Sequence, residues 1–91
     1  MPNVTLGPYN TIAVAAASGV YHLSGASGFA APVDVMNLGP GSVYIRSDKD
    51  PTVNDPGALA LPANWALNGL TAANLGIIAG ADTTISVRVR V

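Results

Sequence analysis

The sequence predicts an all-β protein: a small antiparallel β-sandwich, jelly-roll- or Ig-like, or a compact barrel of about seven to eight short strands. Three observations carry this expectation. The C-terminal segment alternates apolar and polar residues without a fault, further short runs of β-branched residues recur upstream, and 10 glycines and 7 prolines punctuate them. Alternation with period two marks a half-buried strand, and regular Gly/Pro turns between short strands mark a sandwich or barrel. Helix is expected in under about a tenth of the chain.

The clearest element is the segment running from Thr83 to Val91. Ile85, Val87, Val89 and Val91 point one way and Thr84, Ser86, Arg88 and Arg90 the other. A helix would scatter these valines around its circumference, whereas a strand collects them on its buried side. Ser42-Val43-Tyr44-Ile45-Arg46-Ser47 gives a second strand, and Val33-Asp34-Val35-Met36-Asn37 a third. The short Gly39-Pro40-Gly41 segment between them predicts a hairpin. Val20–Ser24 and Thr11–Ala15 are further strands, and Val4–Leu6 is a candidate to pair.

The segment Ser47–Gly57 holds three of the five aspartates and two prolines, and is expected to be a surface loop. Ala58–Pro62 then reads as a short extended edge. A helix over Trp65–Ile78 would place Leu67, Leu70, Asn74 and Ile78 on one face, but it would enclose Gly69 and Gly76. Each internal glycine costs about 1 kcal/mol relative to alanine. Strands at Trp65–Asn68 and Leu75–Ala79, with a helical turn at Thr71–Asn74, fit better.

The 91 residues form one domain, 1–91, with no room for a second core. Only 10% of residues are charged, glutamate is absent, and lysine occurs once, at Lys49. Soluble domains typically carry about 25%. Depletion of charge is a property of interface cores, so part of this surface is expected to be covered by another protein. The margin of stability points the same way. Alanine buries little area, and association is the usual supplement for a small chain without disulfides. A homo-oligomer is therefore expected.

A net charge of −1 gives no steering toward nucleic acid or an acidic membrane. No stretch approaches the 18 consecutive apolar residues of a membrane span. Gly7, Pro8 and Asn10 interrupt the N-terminal apolar run and no Lys or Arg precedes Arg46, so no secretory signal is read.

Catalytic chemistry finds little to stand on. The chain has one histidine, His22, and no cysteine, so neither a Cys–His pair nor a zinc site of ordinary ligand count can be assembled. A Ser–His–Asp set can be counted, but no Gly-x-Ser-x-Gly turn presents the serine. Asp48-Lys49-Asp50 meets the alternate-residue spacing of a calcium loop only minimally, and Lys49 and two prolines then break it, so Asp48, Asp50 and Asp55 read as turn formers. Gly25-Ala26-Ser27-Gly28 lacks the lysine of a phosphate loop. No catalytic residue, cofactor or metal is expected. The candidates are instead interface residues: Arg88 and Arg90 first, then Trp65, Arg46 and Tyr44. For the two strand arginines the competing use is pairing with Asp34 or Asp82, and for Trp65 it is a core plug.

Val35-Met36-Asn37-Leu38-Gly39-Pro40-Gly41-Ser42-Val43-Tyr44-Ile45-Arg46, the Asp-Pro loop, the Leu-Pro edge and the closing Asp82–Val89 strand form a familiar order. The stretch Val33–Val91 resembles small all-β virion proteins of tailed bacteriophages, in particular capsid decoration (cement) proteins and head-surface accessories. The Ala-rich N-terminal third lies outside the likeness. The resemblance implies a non-enzymatic protein on the outer surface of the virion capsid, made in the host cytoplasm. It also implies binding to the major capsid protein, often as a homotrimer, and stabilisation of the shell. An adhesion or glycan-binding module of a phage tail or fibre, or a connector subunit, would share the fold.

Overall fold

The computed structural model describes residues 2–25, 32–70 and 74–90. Its strands are β1 (Asn3–Leu6), β2 (Tyr9–Val14), β3 (Tyr21–Gly25), β4 (Val33–Pro40), β5 (Val43–Arg46), β6 (Leu59–Leu61), β7 (Ala66–Leu70), β8 (Asn74–Ala79) and β9 (Thr83–Val89). A single 3-10 turn, Ala16–Ser18, is the only helical element among the described residues. The strands form two sheets, one of five in the order β1-β3-β8-β5-β6 and one of four in the order β2-β9-β4-β7. All pairs are antiparallel except β1 with β3. The protein is all-β, with the two-layer arrangement of a small sandwich.

Alternation puts one set of side chains from each sheet between the layers. Leu23, Val43, Ile45, Leu61 and Ile77 come from the five-stranded sheet, and Val14, Val33, Val35, Ile85 and Val87 from the four-stranded one; all are fully buried. The closing strand behaves as its pattern dictates, with Ile85 and Val87 in the core and Ser86 and Arg88 outside. Val91 lies outside the described residues, as do 26–28 of the Gly25–Gly28 stretch and 71–73 of the expected helical turn. Asn74 opens β8 instead, paired with Ser24.

The expected hairpin of β4 and β5 does not form. β4 pairs with β7 and β9, whereas β5 pairs with β6 and β8, so the Gly39-Pro40-Gly41 segment carries the chain from one sheet to the other. Both strands bury valines in the same core, and they do so from opposite layers. Local pattern alone cannot tell this arrangement from a hairpin. Gly39 takes a positive φ of 84° beside a register shift in β4. Gly41 approaches the next corner so closely that a Cβ there would overlap the carbonyl of Ala81.

Asn37 fastens this crossing. Its side-chain amide is fully buried and donates to the carbonyls of Gly41 and Leu61 at 2.7 and 2.8 Å. Its Oδ1 accepts from the Gly39 N–H at 2.9 Å and from the Thr83 hydroxyl at 2.7 Å. One side chain thus ties β4 to β6, to β9 and to the corner itself. A buried amide is tolerated when its donors and acceptor are all paired, as here.

The acidic loop is only partly the solvated surface segment that its composition suggests. It folds across the outer side of the five-stranded sheet. Pro51 is fully buried over Gly76 of β8, where a Cβ would stand 2.8 Å from the proline Cδ. Val53 reaches Gly80, and Tyr44 donates to Asn54 Oδ1 at 2.9 Å. Glycine at 76 is therefore a packing requirement of a strand covered on both faces.

Candidate interaction face

The two sheets differ in what lies outside them. The 47–57 loop lies over the outer side of the five-stranded sheet along β5 and β8 and reaches His22 of β3, where it engages the polar side chains beneath it, while Asn3, Thr5 and Asn74 at the β1 end stay exposed. Arg46 binds Asp48 through Nε and Nη2 at 2.8 and 2.7 Å and Asp55 through Nη1 at 3.1 Å. Its side chain is only 14% exposed. Asp55 also accepts from the backbone N–H groups of Gly57 and Thr52. His22 contacts Asp50 at 2.7 Å. The three loop aspartates are thereby distributed over two partners, and no group of three His, Cys, Asp or Glu residues able to hold a metal occurs among the described residues.

The outer side of the four-stranded sheet is bare. Pairing fixes its rows: Tyr9, Arg88 and Asp34 stand side by side, then Thr11, Ser86, Met36 and Ala66, then Ala13 and Thr84. Tyr9, Thr11, Ala13, Met36, Ala66 and Asn68 are exposed. Two rows are free of charge altogether. The β2–β9–β4–β7 order makes this a continuous surface of neutral side chains, small except for Met36, with one charged row at the end where β9 finishes.

That row is built around Asp34. Its carboxylate receives the Gly69 N–H at 2.9 Å, Arg88 Nη2 at 2.7 Å and Arg90 Nε at 2.9 Å. Hydrogen bonds from Arg90, then Arg88, then the Gly69 N–H hold the Asp34 carboxyl well below the usual carboxylate range. Asp34 in turn pushes the Arg88 guanidinium up. Asp48 is drawn down to about 2 chiefly by its hydrogen bonds from Arg46. Asp55 is lowered first by the Gly57 N–H and further by Arg46.

These depressed carboxyls fix the sign of the acid response. A carboxyl whose pKa is lower folded than unfolded stabilises the fold above its ordinary value, 3.8 here, and loses that contribution as pH falls through the folded value. The melting temperature is expected to hold from neutrality to about pH 5 and to fall as pH drops from about 4 to below 2. Thermal melts by circular dichroism across that range check it. A melting temperature unchanged down to about pH 2 would show that these ion pairs add nothing to stability.

The five candidate residues are not brought together. Arg88 and Arg90 share Asp34 on the bare face, the in-sheet pairing weighed against an interface use, while keeping half-exposed side chains. Arg46 and Tyr44 sit under the loop on the opposite sheet, held by partners of their own. They tie the loop to β5. Trp65 precedes β7 and is 63% exposed, so it is not a core plug. The residue missed by sequence reasoning is Tyr9, 78% exposed directly beside Arg88. Its position at the head of a strand phased by Ile12 and Val14 would have placed it outside. Comparison with family models, curated proteins and solved structures finds no match to this chain.

Proposed function

We propose that this chain is a non-enzymatic virion structural protein, a decoration protein that binds the outer shell of a tailed-phage head and stabilises it. Its partners on this reading are the major capsid protein and further copies of itself, in a homotrimer. The single observation supporting the reading is the contrast between the sheets. One outer side is covered over β5 and β8 by the chain's own loop, while the other has no such cover and offers Thr11, Ala13, Met36, Ala66, Thr84 and Ser86 to a partner. Apart from Met36, which adds apolar area, these small neutral side chains lose little rotamer entropy when covered. The partner is named on the likeness of Val33–Val91 to decoration proteins alone. A subunit that binds only the assembled lattice stabilises it by mass action.

Light scattering on the purified chain, followed by co-sedimentation with emptied tailed-phage shells, tests this. The expected result is a trimer that pellets with shells and raises their melting temperature. Thr11→Arg combined with Ala66→Arg should abolish pelleting while leaving the circular dichroism spectrum intact. A chain that stays monomeric and remains in the supernatant with every shell would remove the proposal.

Glycan binding is the second reading, favoured by the exposed rings of Trp65 and Tyr9. The two rings cannot form one platform. Tyr9 is in β2, and Trp65 adjoins β7 at the opposite edge of the sheet. Three strand spacings separate those edges, roughly 14 Å. Each ring would have to serve alone, which makes this the weaker reading.

A further inference from the structure

We propose that the corner formed by Tyr9, Arg88 and Arg90 is a carboxylate-binding site that takes an acidic side chain of a protein partner. This rests on the decoration reading for the partner's class, though the site can be tested without it. Two guanidinium groups share a single carboxylate, Asp34, so among the described residues the cluster carries one uncompensated positive charge. The other acidic side chains are committed elsewhere: Asp48 and Asp55 to Arg46, Asp50 to His22, and Asp82 to the Ala16 N–H at 2.9 Å.

Each guanidinium presents five N–H donors in a rigid plane. Contacts with Asp34 involve Nη2 of Arg88 and Nε and Nη2 of Arg90, and no other hydrogen bond from either side chain occurs among the described residues. Most donors thus remain for a second acceptor. Asp34 holds both groups in place from beneath, with its own side chain only 12% exposed. A pair of arginines fixed in this way meets a carboxylate with its orientation already set, which reduces the entropy cost of forming a bidentate contact.

Tyr9, Arg88, Val89 and Arg90 line a shallow depression at the end of the sheet. A neighbouring one continues past Asp34, Met36, Ala66 and Ser86 onto the neutral rows. A protein segment lying across the bare face would therefore reach the basic corner at its end. Tyr9 can cover the aliphatic part of an incoming aspartate or glutamate while the guanidinium groups meet its oxygens. Charge complementarity selects an acidic occupant. The small neutral surface beside it favours an acidic residue carried on a polypeptide over a free anion.

The test uses the intact chain, labelled with nitrogen-15, titrated with capped hexaglutamate and, separately, with capped hexaglutamine, sodium phosphate and sodium glucuronate. The expected result is a set of shifts confined to Tyr9 and the Nε–H signals of Arg88 and Arg90 with hexaglutamate. These should weaken with added salt and be absent with hexaglutamine. Arg88→Gln with Arg90→Gln should lower the affinity at least about tenfold, the loss expected for one charge-assisted hydrogen bond. Arg88→Lys with Arg90→Lys keeps the charge and should recover only part of it.

Equal shifts from hexaglutamine, tighter binding of phosphate or glucuronate than of hexaglutamate, or shifts centred on another surface would each overturn the site. A double glutamine variant that still pellets fully with shells would overturn the corner as the shell contact and leave the decoration reading standing. If the unmodified chain ignores shells but binds hexaglutamate at this corner, the decoration reading fails and the site survives.

Discussion

Asn37→Leu is expected to destabilise the protein by about 4 kcal/mol or more, comparable to the whole stability of a marginal domain. Leucine fills nearly the same space, so the loss comes from hydrogen bonding and not from a cavity. The carbonyls of Gly41 and Leu61, the Gly39 N–H and the Thr83 hydroxyl would all lose the partner they have in the core. Each unpaired buried group costs about 1–3 kcal/mol. Urea unfolding followed by tryptophan fluorescence measures the change. A loss under about 1 kcal/mol would mean that water replaces the amide and that the crossing does not depend on it.

Gly41→Ala is the second large effect, expected at about 3 kcal/mol. An added Cβ at this position meets backbone, not a flexible side chain: the Ala81 carbonyl oxygen overlaps it, the Ala81 carbonyl carbon lies at 2.8 Å and the Asp82 oxygen at 3.0 Å. Relief requires the Gly80–Asp82 corner to move, and with it the start of β9. Because Asn37 bonds both the Gly41 carbonyl and Thr83, the two substitutions act on one unit. Their combined cost should fall short of the sum. Denaturant midpoints of the single and double variants decide this, and full additivity would show the two corners to be independent.

The legible and illegible parts of this fold divide along a physical line. Period-two segments reveal strands because alternation is a property of each segment alone, so β9, β5 and the first half of β4 stand in the sequence where they stand in space. Sheet membership depends on which strands meet, and the Gly39-Pro40-Gly41 segment is equally compatible with a hairpin and with a crossing. The same limit affects the interface candidates. Arg46 looks like an exposed strand arginine until Asp55, nine positions later, folds back over it. Asp34 and Arg88 could be named as a pair from alternation, but Asp82 was an equal rival until register aligned β4 with β9. Trp65 was illegible because a lone aromatic beside a strand signals burial and exposure alike. Tyr9 was the reverse case: its phase was readable, but nothing local marked it as the neighbour of Arg88.

The position of β9 also governs how the chain can reach its native state. It lies between β2 and β4, so every hydrogen-bonded ladder of the four-stranded sheet except β4 with β7 waits for residues at the far end of the sequence. Asp34 meets Arg88 across 54 positions, and His22 meets Gly76 in the other sheet. Pairings of such separation put this domain among slow folders, in the range of milliseconds to seconds. Ribosomes add about 5–20 residues per second, so for several seconds the nascent chain exposes β2 and β4 with their central partner unmade. During that interval the open strands are the ones most prone to pair with another chain. The chain's low charge leaves them little electrostatic protection before β9 arrives.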